Sequence, residues 1–312
     1  MGKLLFATVF AIVALPLIAQ NAAPNLVPVQ TIMTVEARHD HDNAVPSLKQ
    51  EDVMAYERKT RLLVTDLVSC QGENAGLELF LVIDDASDTS LGLQFGDLRH
   101  FIETQPATTA IGIGYMRNGT VDIVQKFTED RSRAAKALRL PVSSGGVMAS
   151  PYLSLKDLIK RWPGNANRRE VLMISSGVDP LGGMGSINPY LDSAIESAQR
   201  NGIIVYAIYM PAAGHSGHSL FRLNWAQSHL AQLSEETGGE AYMLGFGMPV
   251  SFAPYLGEIA TRLAHQYRVT FQMRPENKGG FQSVRFATEV PNAEIVAPSK
   301  VYVPAAREPA GK

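Results

Sequence analysis

The sequence predicts an α/β fold: a mostly parallel sheet with helices on both faces and one antiparallel edge strand, joined to a small β domain. Three observations carry this. Residues 77–266 alternate continuous apolar runs with stretches of helical period. An Asn-Gly turn inserts one hairpin into that series. The flanks, 24–76 and 267–304, alternate apolar and polar positions with no helical period, so they read as strands that pack together as one β domain.

In order along the α/β series, "LELFLVI" (77–83) is a strand apolar on both sides, as expected when helices cover both sheet faces. "LGLQFGDLRHFIET" places Leu91, Phe95, Leu98 and Ile102 on one helical face. "TTAIGIGYM" and "TVDIVQKF" are strands joined through Asn118-Gly119, hence antiparallel neighbours. "EDRSRAAKALRL" reads as a short helix with acids in its first turn. "PYLSLKDLIKRW" opens on proline and stacks Tyr152, Leu155, Leu158 and Ile159. "REVLMIS" is a buried strand. "NPYLDSAIESAQRNG" has Asn188 as N-cap, Pro189 at the first helical position and Gly202 as terminator. A strand "IIVYAIYM", a helix "FRLNWAQSHLAQLSEETGG" and a last helix "FAPYLGEIATRLAHQ" complete the series. The flanks supply three or four strands within 28–70 and three more in "YRVTFQMRP", "FQSVRFATEV" and "SKVYVP". Residues 305–312 are a tail.

The 312 residues, 46% hydrophobic and 19% charged, allow about two domains at ~150 residues each. A formal net charge of −2 gives no electrostatic case for nucleic acid, which needs a concentrated basic face. Residues 1–23 have the layout of a secretory signal: Lys3, an uncharged run from Leu4 to Ala19, then small residues with cleavage near Ala19 to Ala23. A spanning helix is the rival, but the run falls short of the ~20 residues it wants, and Pro16 interrupts it. A secreted or periplasmic location follows, with no membrane anchor in the mature chain. Cys70 stands alone, so there is no internal disulfide and no cysteine-rich zinc module; it reads as a small buried hydrophobe.

Ligands of open α/β sheets bind beyond the carboxyl ends of the strands. Three loops of that kind carry polar residues here: "DDASDTS" (84–90), "SSGGVMAS" (143–150) and "SSGVDP" (175–180). Asp84, Asp85, Ser87, Thr89, Ser150 and Asp179 together offer the carboxylate and hydroxyl oxygens that suit Mg²⁺, Mn²⁺ or Ca²⁺.

These loops, the hairpin "GIGYMRNGTVDIV", the helix "LAQLSEETGGEAY" and the last helix "YLGEIATRLAHQYRVTF" resemble the von Willebrand factor A (VWA) domain. More closely they resemble the exported, acidobacterial VWFA-related proteins, over roughly residues 30–304. The resemblance implies a Rossmann-like VWA unit and a metal-ion-dependent adhesion site built from an Asp-x-Ser-x-Ser loop, a second-loop threonine and a third-loop aspartate. Carried over, Asp85, Ser87 and Thr89 fit the first loop, with Asp84 in an alternative register, and Ser150 stands where the threonine belongs. The third loop departs, with Ser176 where the family has aspartate; Asp179 is the nearest replacement. Losing that carboxylate favours a partly degenerate site without an ion.

The remaining features have plainer readings. His39 and His41 flank aspartates in a surface loop, and His215, His218 and His229 lack the glutamate of a zinc-protease motif. Gly112 and Gly114 sit inside a hairpin, where no helix N-terminus meets a phosphate. Ser143 and Ser144 lack a placed His/Asp pair. Lys160, Arg161, Arg168 and Arg169 form a local basic turn that is solvated or meets an anion. Asn118-Gly119-Thr120 fits the glycosylation pattern but also a tight turn. The function expected is an exported, non-catalytic module that binds a protein partner, with a metal-independent structural scaffold as the alternative and a metal-assisted hydrolase more remote.

Overall fold

The computed structural model describes residues 26–38, 44–142, 150–162, 168–183, 185–213, 219–243, 245–276 and 278–305. Residues 1–23, read above as a signal sequence, His39, His41, Ser143, Ser144, His215, His218 and nearly all of the tail lie outside them.

The chain begins with four strands, β1 (Val27–Ala37), β2 (Met54–Glu57), β3 (Thr60–Leu62) and β4 (Val64–Ser69). The α/β series follows: β5 (Leu77–Asp84), α1 (Phe95–Thr104), β6 (Thr109–Arg117), β7 (Thr120–Thr128), α2 (Arg131–Lys136) and α3 (Pro151–Arg161). It continues through β8 (Arg169–Ser175), α4 (Pro189–Asn201), β9 (Ile203–Tyr209), α5 (Leu220–Thr237), β10 (Ala241–Tyr242) and α6 (Ala253–Ala264). The last five strands are β11 (Gln266–Met273), β12 (Gly280–Ser283), β13 (Arg285–Ala287), β14 (Ala293–Val296) and β15 (Lys300–Val303). Among the described residues no helix is long and apolar enough to cross a membrane.

The central sheet runs β10-β9-β8-β5-β6-β7, parallel except for β7 at one edge. This is a Rossmann-like, doubly wound arrangement. Alternate side chains of β5 face opposite layers. Leu79, Leu81 and Ile83 pack with Leu98 and Ile102 of α1 and Ile259 of α6, while Phe80 and Val82 pack with Leu155 of α3 and Leu230 of α5. Both faces are covered, which is why the strand is apolar throughout; truncating a residue such as Leu81 costs ~2–5 kcal/mol. The helix ends match the sequence: Asn188 accepts hydrogen bonds from the Tyr190 and Leu191 amides, and Gly202 closes α4 at φ 61°. Gly112 and Gly114 have a packing reason, since an added Cβ would lie 2.5 Å from the Phe80 ring or from Val121 Cγ1.

The two flanks form shared sheets. β1 pairs antiparallel with β11, which pairs on its other side with β4, and β1 also pairs with β14. β13 joins β2, and β12 joins β15. Val29, Met33, Phe271, Phe286 and Val303 fill the core between them. This β region sits at the amino end of the central strands, where Cys70, buried as expected, donates its amide to Gln266 O at 2.9 Å.

Four local expectations need correction. "FQSVRFATEV" is two strands rather than one, because its halves pair with different partners. β14 and β10 were not foreseen, being too short for a periodic signal. The acids expected inside α2 precede it, and Asp130 caps it by accepting from the Arg133 amide. The basic turn is solvated only in part: Lys160 and Arg161 are exposed, Arg161 also bonding Asp157 and Val121 O, but Arg168 is buried and donates to Cys70 O.

Candidate functional site at the carboxyl rim

The ends of β5 and β8 and the segment before α3 meet at one rim. Ser175 Oγ donates to Asp84 Oδ2 at 2.9 Å, joining the first loop to the third. The Val142 amide donates to Asp85 Oδ1 at 2.9 Å, and Tyr152 Oη donates to Gly177 O at 3.3 Å, joining the segment around Ser150 to both.

Asp84 and Asp85 are adjacent, both fully buried, and turned to different neighbours. Asp84 ends β5 facing β8, with its Oδ1 accepting from the Ala86 amide at 3.0 Å. Burial pushes its carboxyl up to about 6, against the pull of the Ala86 and Ser175 bonds, and neighbouring Asp85 adds to the rise. Asp85 faces the other way and is gripped bidentately by Arg139, Nη1 to Oδ1 at 2.7 Å and Nη2 to Oδ2 at 3.1 Å. The guanidinium lies 3.7 Å over the Tyr115 ring, and the Arg139 backbone exchanges two 2.6 Å hydrogen bonds with the Tyr115 hydroxyl. The bond to Asp85 raises the Arg139 pKa, so the guanidinium stays charged. Arg139 is thus a cation built into the chain, standing against the carboxylate that the sequence offers to a metal. Nothing around "ALRL" signals that role.

Ser87 and Ser150 are buried, and neither Oγ finds a partner within the protein among the described residues. Thr89 is exposed at the start of a short 3-10 turn. Asp179 is buried, but its carboxylate folds back onto its own loop, accepting from the Leu181 amide at 3.1 Å and Asn188 Nδ2 at 3.2 Å. Ser176 bonds the Val178 amide. Asp85, Ser87, Thr89, Ser150 and Asp179 therefore do not fit a cation as one set. Arg139 holds the first carboxylate, Asp179 is committed to its own loop, and Thr89 faces solvent. The donors chemically suited to a hard cation are Asp84 with the unpartnered hydroxyls of Ser87 and Ser150.

Beside this cluster, between the β8–α4 connection and α5, lies a cleft of about 110 Å³. Gly177, Asp179, Asn188, Arg222, Trp225 and His229 line it. His229 is buried, and its ring lies against Trp225, with centroids 6.5 Å apart and planes at 29°, and edge-on to Tyr152. Burial lowers its pKa, opposed by a hydrogen bond to the Ser186 backbone and by the charges of Asp179 and Asp192. Gly177, at φ 70°, lets α5 approach closely: an added Cβ would sit 2.5 Å from Ala226 O. No sequence pattern assigns His229 a role once a zinc motif is set aside. The helical spacing of Trp225 and His229 was the available signal.

The rim is also where the molecule exposes apolar surface. Leu93, Leu181, Ile187, Leu220, Phe221, Trp225 and Val250 lie between strand ends and the first two turns of the helices that follow, and Leu140 and Val142 lie on the segment from α2 toward the start of α3. Among the described residues the other exposed large apolar side chains are Leu26, Leu63 and Val124. Ile187, Phe221 and Val250 are 79%, 80% and 97% exposed.

No protein-family model matches the chain, and no curated protein matches it. Solved structures similar to it include the conserved hypothetical protein BatB from Bacteroides thetaiotaomicron, at 12% identity and a TM-score of 0.44, covering 61% of this chain and 98% of that one. An aerotolerance-related membrane protein from Bacteroides fragilis matches at 13% identity and a TM-score of 0.44, over 60% of this chain and 98% of that one. The ArnB paralog VWA2 from Sulfolobus acidocaldarius matches at 9% identity and a TM-score of 0.40, over 88% and 74% of the respective chains.

Proposed function

We propose that this chain is an exported, non-catalytic VWA-type module that grips a protein partner with the carboxyl rim of its sheet, without an obligatory ion. One observation carries the reading: the exposed apolar side chains concentrate on that rim. Isolated exposed apolar residues need no explanation, but a concentration of them on one face marks an interaction surface. Phe221, Trp225 and Ile187 are the kind of large anchors that dominate interface energetics. Export rests on the signal pattern of residues 1–23.

The test is photo-crosslinking in the native organism from a probe at Phe221, with a probe at Leu63, far along the chain in the β region, as control. A discrete adduct from Phe221 alone, lost when Ile187 and Val250 are changed to serine, is the expected result. Equal labelling from both positions, or none from the rim, would remove the reading.

The unpartnered hydroxyls of Ser87 and Ser150 favour a second version, in which a divalent ion joins Asp84 at the rim. Binding to the folded state raises the melting temperature by mass action, so a Mg²⁺, Mn²⁺ or Ca²⁺ titration that shifts wild type but not Asp84→Asn supports it. No shift with any of the three ends it and leaves the ion-free module standing.

A further inference from the structure

Resting on that reading of the rim, we propose that the cleft between the β8–α4 connection and α5 is the anchor pocket of the interface, and that it takes a tyrosine side chain of the partner. The argument starts with an unmet group. His229 is 5% exposed, lines the cleft, and its Nε2 finds no hydrogen-bond partner within the protein among the described residues. A buried polar atom left unpaired is destabilising, so an occupant that satisfies it gains affinity by doing so.

The unmet nitrogen narrows what the occupant must be. Whichever ring nitrogen carries the proton, a hydroxyl can pair with Nε2, since it both donates and accepts.

Shape and charge narrow the choice. Trp225 and His229 lie one turn apart along α5, with ring centroids 6.5 Å apart and planes at 29°, and Trp225 is exposed, so the indole offers a face beside Nε2 to an incoming flat ring. The cleft, at about 110 Å³, admits a single side chain. Asp179 and Arg222 line it with one charge of each sign, which leaves no net demand for a charged group. A phenol meets all three conditions. A lysine would face Arg222, and a phenylalanine would leave Nε2 unpaired.

The experiment uses the isolated protein and small probes, so it does not depend on finding the partner. 4-Methylphenol, 4-methylanisole, toluene and n-butylammonium are titrated while the indole signal of Trp225 and the ring nitrogens of His229 are followed by NMR. Saturable binding of 4-methylphenol about tenfold tighter than toluene and no weaker than 4-methylanisole, with a shift at His229 Nε2, is expected. The preference should vanish in His229→Leu and binding itself in Trp225→Ala; the probe series decides the matter even if a variant folds poorly. Equal binding of 4-methylphenol and toluene, tighter binding of the ether or of butylammonium, or no saturable binding overturns the proposal. Specific 4-methylphenol binding with no rim adduct refutes the docking reading alone, and an adduct without phenol binding refutes the pocket alone.

Discussion

The two ends of the central sheet use the same materials to opposite effect. At the amino end, Glu170 is fully buried under the β region, with neither oxygen in a well-formed hydrogen bond and Arg168 Nε at 3.7 Å from Oε1. Burial pushes its carboxyl up to about 7, while Arg168, Gln266 and Tyr206 pull the other way. Arg262 of α6 spans the same seam, reaching Glu36 at 2.6 Å and Glu240 at 3.2 Å. At the carboxyl end, Asp84 and Asp85 are equally buried, but the apolar side chains around them face outward. One end has its covering within the chain; the other presents the surface that a covering partner would use. Buried charge does not distinguish a site from a seam. What surrounds it does.

The comparison breaks most violently at the closed end. Gly239, which leads into β10, has Val205 O where a Cβ would stand, at 2.1 Å. Gly239→Ala should cost ~3 kcal/mol or more through backbone displacement, visible as a collapse of the denaturation midpoint. If this variant is as stable as wild type, the packing of that end is looser than described.

Next comes pH. The Glu170 carboxyl is raised in the folded state, so its contribution is fully present below about 4.5 and is lost as pH rises through about 7. Glu170→Gln should remove that fall and gain up to ~3 kcal/mol at pH 8 relative to wild type, by the linkage arithmetic of 1.36 kcal/mol per unit. Parallel stability–pH curves for the two proteins would count against a strained carboxylate at the seam.

Arg139→Ala tests the rim's internal cation. It strands a buried Asp85 and should cost ~2 kcal/mol, below the 3–5 of a fully buried pair because the Arg139 side chain is 36% exposed. Adding Asp85→Asn should restore much of the loss in a double-mutant cycle; purely additive costs would mean the pair is not coupled. The smallest effect is expected for Ile187→Ser or Val250→Ser, each within ~0.5 kcal/mol in stability. A large destabilisation there would mean these side chains serve the fold and not the surface.

The fold was legible because parallel strands covered on both faces read as unbroken apolar runs, and because Asn188, Gly202 and Asn118-Gly119 mark their own turns. The kinds of residue at the rim were legible too. Their directions were not. Whether Asp84 or Asp85 faces the third loop is decided by Arg139, 54 positions away from Asp85, and no local period encodes that. The exposed apolar rim was hidden for a related reason: periodicity assigns every apolar residue to a core, and cannot tell one that packs inward from one that waits outside.

The neck between the two regions has a kinetic consequence. Thr65 Oγ1 donates to Thr270 O across 205 positions of sequence, a closure that is slow when the intervening chain is unstructured. Once the α/β unit has folded, it delivers Cys70 and Gln266 to hydrogen-bonding distance, and β4 and β11 then meet as neighbours across a short gap. The long-range sheet becomes, in effect, a local one, and refolding should proceed in that order, with the inserted unit first and the flanking strands zipping shut behind it.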